Sequence, residues 1–192
     1  MSDAKTLNDF IGSKERGRPP VVWSISNSRN DEASKIRWEC VPYMHGRVLD
    51  IGCGPYKCFP HWIGVDNGHH WGMRGADVKA EANDLSLFAN QSVDCCYSSH
   101  LLEHIPYADV PATLNEWCRV AKPGGHIILY LPDEAQYPLV GAEFANPDHK
   151  WNVNADKVIA AMETLRRGWD LIDYQVRSET DEYSLFFVFK LT

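Results

Sequence analysis

Hydrophobic and polar positions change their rhythm near His45. Residues 1–30 are polar, are punctuated by Gly12, Gly17, Pro19 and Pro20, and carry no convincing period. From about Asp31 to Met44, the spacing of Ala33, Ile36, Trp38 and Val41 predicts a helix. Beyond His45, short apolar and β-branched runs at 48–51, 62–66, 77–81, 93–99 and 126–131 predict five strands. Turn signals and helical stretches separate them, which is the order of a parallel sheet with crossover connections.

The best-marked helix falls between the fourth and fifth runs. Asp109 is its expected N-cap, Pro111 sits in its first turn, and Val110, Leu114, Trp117 and Ala121 form one apolar stripe. Lys122-Pro123-Gly124-Gly125 is the expected stop. A second helix starts from the cap Asn154 and runs through Val158, Met162 and Leu165 to Gly168. Two further strand-like runs, 170–177 and 184–189, are joined by the acidic turn Glu179-Thr180-Asp181-Glu182. So short a link enforces antiparallel pairing. The expected fold class is therefore α/β: a doubly wound, mainly parallel sheet of about seven strands ending in an antiparallel hairpin. Residues 1–44 form an arm and helix, and 45–192 form the main domain.

Composition narrows the function classes. A chain of 192 residues and 21.8 kDa fits one domain, and 44% apolar with 23% charged residues is ordinary for a globular protein. The longest apolar runs, 127–131 and 185–189, fall far short of the ~20 residues of a membrane span. The opening MSDAKTLNDF lacks the basic-then-apolar layout of a secretion signal. A net charge of −7 argues against a nucleic-acid surface; the small basic group Lys14, Arg16 and Arg18 is interleaved with Asp9 and Glu15. The six cysteines contain no C-x-x-C pair, and Cys95 and Cys96 fall in an expected buried strand, so all six read as reduced thiols in a cytoplasmic setting. No nucleic acid and no membrane are expected as partners, and nothing in the pattern fixes an oligomeric state.

Candidate chemistry lies after the strands, because open α/β sheets bind ligands beyond the carboxyl ends of their strands. The first run leads into Asp50-Ile51-Gly52-Cys53-Gly54-Pro55, whose glycines let the backbone turn sharply and approach a ligand. Asp66 ends the second run and can accept hydrogen bonds from ribose hydroxyls. Glu81 and Ala82 follow the third run, where a carboxylate can take the exocyclic amine of an adenine. Ser98-Ser99-His100 close the fourth run, and Pro132-Asp133 close the fifth. Serial placement of these groups describes a nucleoside-shaped site.

The stretch Val48-Leu49-Asp50-Ile51-Gly52-Cys53-Gly54, followed by Ile63-Gly64-Val65-Asp66, resembles the cofactor fingerprint of class I S-adenosylmethionine-dependent methyltransferases, a Rossmann-like family. Ser92-Val93-Asp94, Ser99-His100-Leu101-Leu102-Glu103-His104 and Arg119-Val120-Ala121-Lys122-Pro123-Gly124-Gly125 resemble its later landmarks, in order. The resemblance covers residues 45–192 and implies S-adenosylmethionine as cofactor. It implies that Gly52, Cys53 and Gly54 lie near the methionine end and that Asp50 orients the loop or meets the amino group. Asp66 would hold the ribose, Glu81 and the Ala82 backbone the adenine, and Ser98 and Ser99 would border the transferable methyl. Two departures stand out. Tyr56 replaces a third glycine, and Asp50 and Asp66 are only 16 positions apart, too close for a full first crossover helix. Lys57 is then a candidate for the cofactor carboxylate, set against an ordinary surface lysine. A similarly short form occurs in small family members resembling enzymes of surface-glycan gene clusters, which leans the acceptor toward a sugar or glycan precursor and the reaction toward O-methylation.

Rival readings use the same residues. His100-Leu101-Leu102-Glu103-His104 also spells H-x-x-E-H, an inverted zinc-protease motif, which would need a helix and a downstream ligand such as Glu143 or Glu163. The segment instead follows an expected buried strand, so no metal is expected. A nicotinamide dehydrogenase would need the third glycine and a full helix, both missing here. A non-catalytic S-adenosylmethionine-binding module serving a protein partner is the alternative of a different class. For a hydroxyl acceptor, His149 is the first candidate general base and His100 the second. Residues 10–44 and 133–153, with Trp23, Tyr43, Tyr137, Phe144 and Trp151, are expected to close a pocket for a small-molecule acceptor.

Overall fold

In the computed structural model, residues 32–192 are described, apart from Trp71 and Thr180. The basic group Lys14, Arg16 and Arg18, Trp23, and the arm up to residue 31 lie outside the described residues. The five runs become β1 (Val48–Ile51), β2 (Ile63–Asp66), β3 (Val78–Lys79), β4 (Val93–Ser99) and β5 (Ala121–Pro132). The terminal hairpin is β6 (Trp169–Arg177) and β7 (Ser184–Leu191). All seven share one sheet in the order β3-β2-β1-β4-β5-β7-β6. β1 to β5 pair in parallel, and β7 inserts antiparallel between β5 and β6. The expected doubly wound sheet with an antiparallel ending is what forms. Order reverses between β1 and β4, and there the sheet opens a crevice at its carboxyl edge.

Alternation along the central strands explains why both faces are covered. Cys96, Ile127, Leu129, Phe187 and Phe189 face one layer, with Leu114 and Trp117 of α3 (Val110–Val120) and Ile159 and Met162 of α4 (Ala155–Glu163). Cys95, Tyr97, Ile128, Tyr130, Phe186 and Val188 face the other, packed with Ile36, Cys40, Cys58 and Trp62. A strand buried on both faces reads as a continuous apolar run, as β5 and β7 do. All six cysteines are free and buried.

Several boundaries differ from the sequence reading. The expected helix over 31–44 is broken into α1 (Glu32–Lys35), α2 (Arg37–Cys40) and a 3₁₀ turn (Val41–Tyr43), because Ile36 leaves helical geometry at ψ 0°. Trp38 turns outward and is 58% exposed, while Ile36 and Cys40 are buried against the sheet. Asp109 precedes α3 but makes no side-chain cap; a 3₁₀ turn (Tyr107–Asp109) winds directly into the helix instead. Asn154 does cap α4, accepting from the Lys157 amide at 2.9 Å. α3 ends at Val120, so Ala121, expected in its apolar stripe, is already extended; strand pairing starts there, and Pro123, Gly124 and Gly125 fall within an irregularity of β5 rather than before it. β3 is only two residues long, which leaves Glu81 beyond it in a loop.

Candidate active site

A cavity of about 490 Å³ opens at the carboxyl ends of β1 and β4. Asp50, Gly52 and Cys53 form one wall, Ser99 and His100 another. Glu103 and His104 come from a 3₁₀ turn (Leu102–His104), and Tyr137, Asn146, His149 and Tyr183 complete the far side. Glu32 and Ala33 of α1 line it as well.

The glycine loop is held from three sides. Gly52 and Gly54 adopt φ +73° and +55°, the left-handed region where a side chain is strained. The Gly52 amide donates to the Val65 carbonyl at 2.8 Å, tying the loop to β2. The buried Asp50 accepts from the Cys58 amide at 2.7 Å and folds the following turn back. No helix forms between Gly52 and Trp62. A polar clamp replaces it: Asp77 Oδ2 accepts from Lys57 Nζ and from the Gly64 amide, each at 2.8 Å. Lys57 also donates to the Trp62 carbonyl at 3.0 Å. It therefore braces the loop and is not on the cavity wall; the cation on the wall is Arg74, which carried no motif and was not legible in the sequence.

The nucleoside half of the expected site lies outside the cavity walls. Asp66 ends β2 with Oδ2 accepting from the Gly54 amide at 3.0 Å and Oδ1 from the Gly68 amide at 2.7 Å. Each oxygen keeps a second lone pair for a hydroxyl donor. Glu81 is exposed and takes Asn67 Nδ2 at 3.0 Å, and the Ala82 carbonyl accepts the Trp117 indole N–H at 2.8 Å. Ser98 is fully buried and donates to the Ile51 carbonyl at 2.8 Å, supporting the loop from beneath, whereas Ser99 lines the cavity. Left-handed glycines beside an acidic strand end fit a nucleoside-bearing cofactor: Gly52, Cys53, Gly54 and Asp66 would hold it.

The opposite wall carries a buried ionisable cluster. Glu103 is 0% exposed, and among the described residues neither of its carboxyl oxygens has a hydrogen-bond partner. Its Oε1 stands 3.6 Å from His100 Nδ1, 3.8 Å from His149 Nε2 and 3.9 Å from His104 Nε2. Burial pushes the Glu103 carboxyl up to about 8. Burial, aided by the neighbouring imidazoles, pushes His100 down to about 3 and His104 down to about 4, and burial lowers His149. His100 holds a left-handed φ of +49° and shares a 3.0 Å hydrogen bond between Nε2 and Ser184 Oγ. A 3₁₀ turn rather than a helix follows His100, so the helical face that the zinc-protease motif requires does not form. Of the described aromatics expected at the acceptor pocket, Tyr137 lines the cavity. Tyr43 instead bonds Asp173 at 2.8 Å, Trp151 is buried with its indole N–H on the Leu102 carbonyl, and Phe144 is 87% exposed.

The seven-stranded sheet with its antiparallel ending is the fold of solved S-adenosylmethionine-dependent methyltransferases. Residues 49–129 match the family model described as Methyltransferase domain. A SAM-dependent methyltransferase from Archaeoglobus fulgidus is similar in structure at TM-score 0.65 and 20% identity, covering 82% of this chain and 92% of that one. A SAM-dependent methyltransferase from Thermotoga maritima matches at TM-score 0.60 and 16% identity, covering 83% and 89%. A chain from a complex between the Haloferax volcanii Trm112 methyltransferase activator and a methyltransferase matches at 0.60 and 18%, covering 83% and 88%. No curated protein matches the sequence. Among the described residues, no helix is long and apolar enough to cross a membrane.

Proposed function

We propose that the protein methylates a hydroxyl group of a small acceptor, with a sugar or glycan precursor as the acceptor class. The observation that carries this reading is a single cavity shared by the glycine loop and the buried imidazoles. Its volume of about 490 Å³ suits a small molecule rather than a polymer. Tyr137 and Tyr183, with ring centroids 5.0 Å apart, offer aromatic faces, and the carboxylate, imidazoles and Asn146 offer partners for hydroxyls.

S-adenosylmethionine, when bound, supplies a methyl group on a sulfonium, ready for in-line displacement by an acceptor oxygen. The residues of this chain position and desolvate the acceptor and receive its proton. Burial keeps His100 and His149 neutral, so each presents an unprotonated imidazole inside the cavity.

Calorimetric titration with S-adenosylmethionine and its demethylated product, followed by methyl transfer to a panel of sugar nucleotides, tests the proposal. Removing either imidazole, by His149→Ala or His100→Ala, should lower turnover by about 10²–10⁴-fold while cofactor binding persists. Cofactor binding without transfer to any sugar would overturn the acceptor class. Transfer to no acceptor of any kind would leave a cofactor-binding module.

A further inference from the structure

Glu103 poses a physical problem that methyl transfer alone does not solve. A carboxyl group with no exposure and, among the described residues, no hydrogen-bond partner on either oxygen is costly to bury in either protonation state. Three imidazole nitrogens surround Oε1 at 3.6–3.9 Å, just beyond hydrogen-bonding reach. Ligands of a tetrahedral ion with bonds near 2.1 Å stand about 3.4 Å apart, close to that spacing. One ligand atom from each of Glu103, His104 and His149 falls within 4.8 Å of the others. Two hydrogen bonds hold the source segments together: the Lys150 amide donates to the Glu103 carbonyl at 2.7 Å, and the Trp151 indole N–H to the Leu102 carbonyl at 2.9 Å.

We propose that Glu103, His104 and His149 form a binding site for a divalent transition-metal ion of the zinc class on the acceptor wall of the cavity. Two neutral imidazoles and one carboxylate suit such an ion and disfavour magnesium or calcium, which take oxygen-rich shells. Three protein ligands leave at least one coordination position, and all three residues line the cavity, so that position is available to a ligand entering it. The ion would neutralise the buried carboxylate and polarise an acceptor hydroxyl. His149 is then a ligand, and His100, which lies 3.6 Å from Glu103 but outside the three-ligand group, is the imidazole that takes the acceptor proton. That last assignment rests on the proposed methyl transfer; the ion site does not.

Untagged protein stripped with a chelator and titrated with Co²⁺ tests the site through visible d–d absorption, with Zn²⁺ as competitor. The expected result is saturation at one equivalent, displacement by Zn²⁺, and at least about 100-fold weaker binding in His149→Ala and in the isosteric Glu103→Gln. Circular dichroism and cofactor titration verify that each variant is folded. Asp66→Ala should weaken cofactor binding at least about tenfold yet leave the Co²⁺ spectrum intact, which separates failure of the ion site from failure of the methyltransferase reading. Co²⁺ binding equally weak in wild type and in folded Glu103→Gln would come from surface histidines and would overturn the proposal.

Discussion

The amide of Lys150 donates to the carbonyl of Glu103 at 2.7 Å, joining the loop after β5 to the turn after β4. That single backbone bond places His149 against Glu103 and puts residues remote in sequence on one cavity wall. The geometry yields expected outcomes for several variants.

Asp66→Ala should lower S-adenosylmethionine affinity by at least about tenfold in calorimetry, since hydrogen bonds to a charged acceptor are each worth about 1.5–3 kcal/mol. Asp66→Asn should fall between, because one amide oxygen still serves the loop or the ligand. Unchanged affinity in Asp66→Ala would exclude this carboxylate from the ribose site.

Arg74 and Lys57 should separate cleanly. Arg74 lines the cavity, so Arg74→Ala is expected to weaken binding of the cofactor or of an anionic acceptor. Lys57 braces Asp77 and Trp62, so Lys57→Ala should lower the melting temperature through a change of about 1 kcal/mol, with little change in affinity for a bound ligand. A matched pair of calorimetric and thermal-melt measurements reads both effects.

Gly52→Ala should destabilise the fold by about 1–3 kcal/mol, as urea titration would show. Its φ of +73° disfavours a side chain, and an added Cβ would stand 2.7 Å from Leu101 Cδ2. The double variant with Leu101→Ala should recover the overlap but not the dihedral penalty; full recovery would show that backbone conformation contributes nothing here.

Acid stability should depend on Glu116. Its hydrogen bonds from Arg119 hold the carboxyl below its ordinary range, reinforced by the Leu85 amide at 2.8 Å and opposed by partial burial. Arg119 extends the same clamp to the Leu85 and Phe88 carbonyls, each at 3.0 Å. A carboxyl lowered on folding stabilises above its unfolded value and loses that contribution as pH falls through the lowered folded value. Glu116→Gln should therefore be less stable at neutral pH and show a shallower loss of stability on acidification. Parallel slopes for the two proteins would refute the linkage.

Native protein should resist thiol alkylation at neutral pH. Burial, with Asp50 nearby, pushes the Cys53 and Cys58 thiols each up to about 12, and the other cysteines are also buried. Mass spectrometry should show little labelling before denaturant and six adducts after it. Rapid native labelling of Cys53 would mean that the cavity wall opens to solvent.

Local pattern made most of the fold legible. The runs at 48–51 and 93–99 became strands with those bounds because a short, mostly buried run between turn signals suits a central strand covered on both faces. Asn154 was readable as a cap because its bond to Lys157 is local. Asp109 misled because a helix can also be entered through a 3₁₀ turn, which needs no side-chain acceptor. Aromatic residues near the site were readable as a class but not individually: Tyr137 faces the cavity, while Trp151 turns into the core to satisfy its indole N–H.

By itself, the sequence determined the succession of strands and helices along the chain, the glycine turn and the acidic strand ends, since each depends on residues within a few positions of one another. Only the tertiary structure decided which charges are buried and who meets whom. Lys57 was claimed by Asp77, Ser98 by the Ile51 carbonyl, and Glu103 was enclosed by three imidazoles from two separate segments. Such partnerships depend on chain crossings at the carboxyl edge of the sheet, and burial, which sets their electrostatics, exists only once those crossings are made.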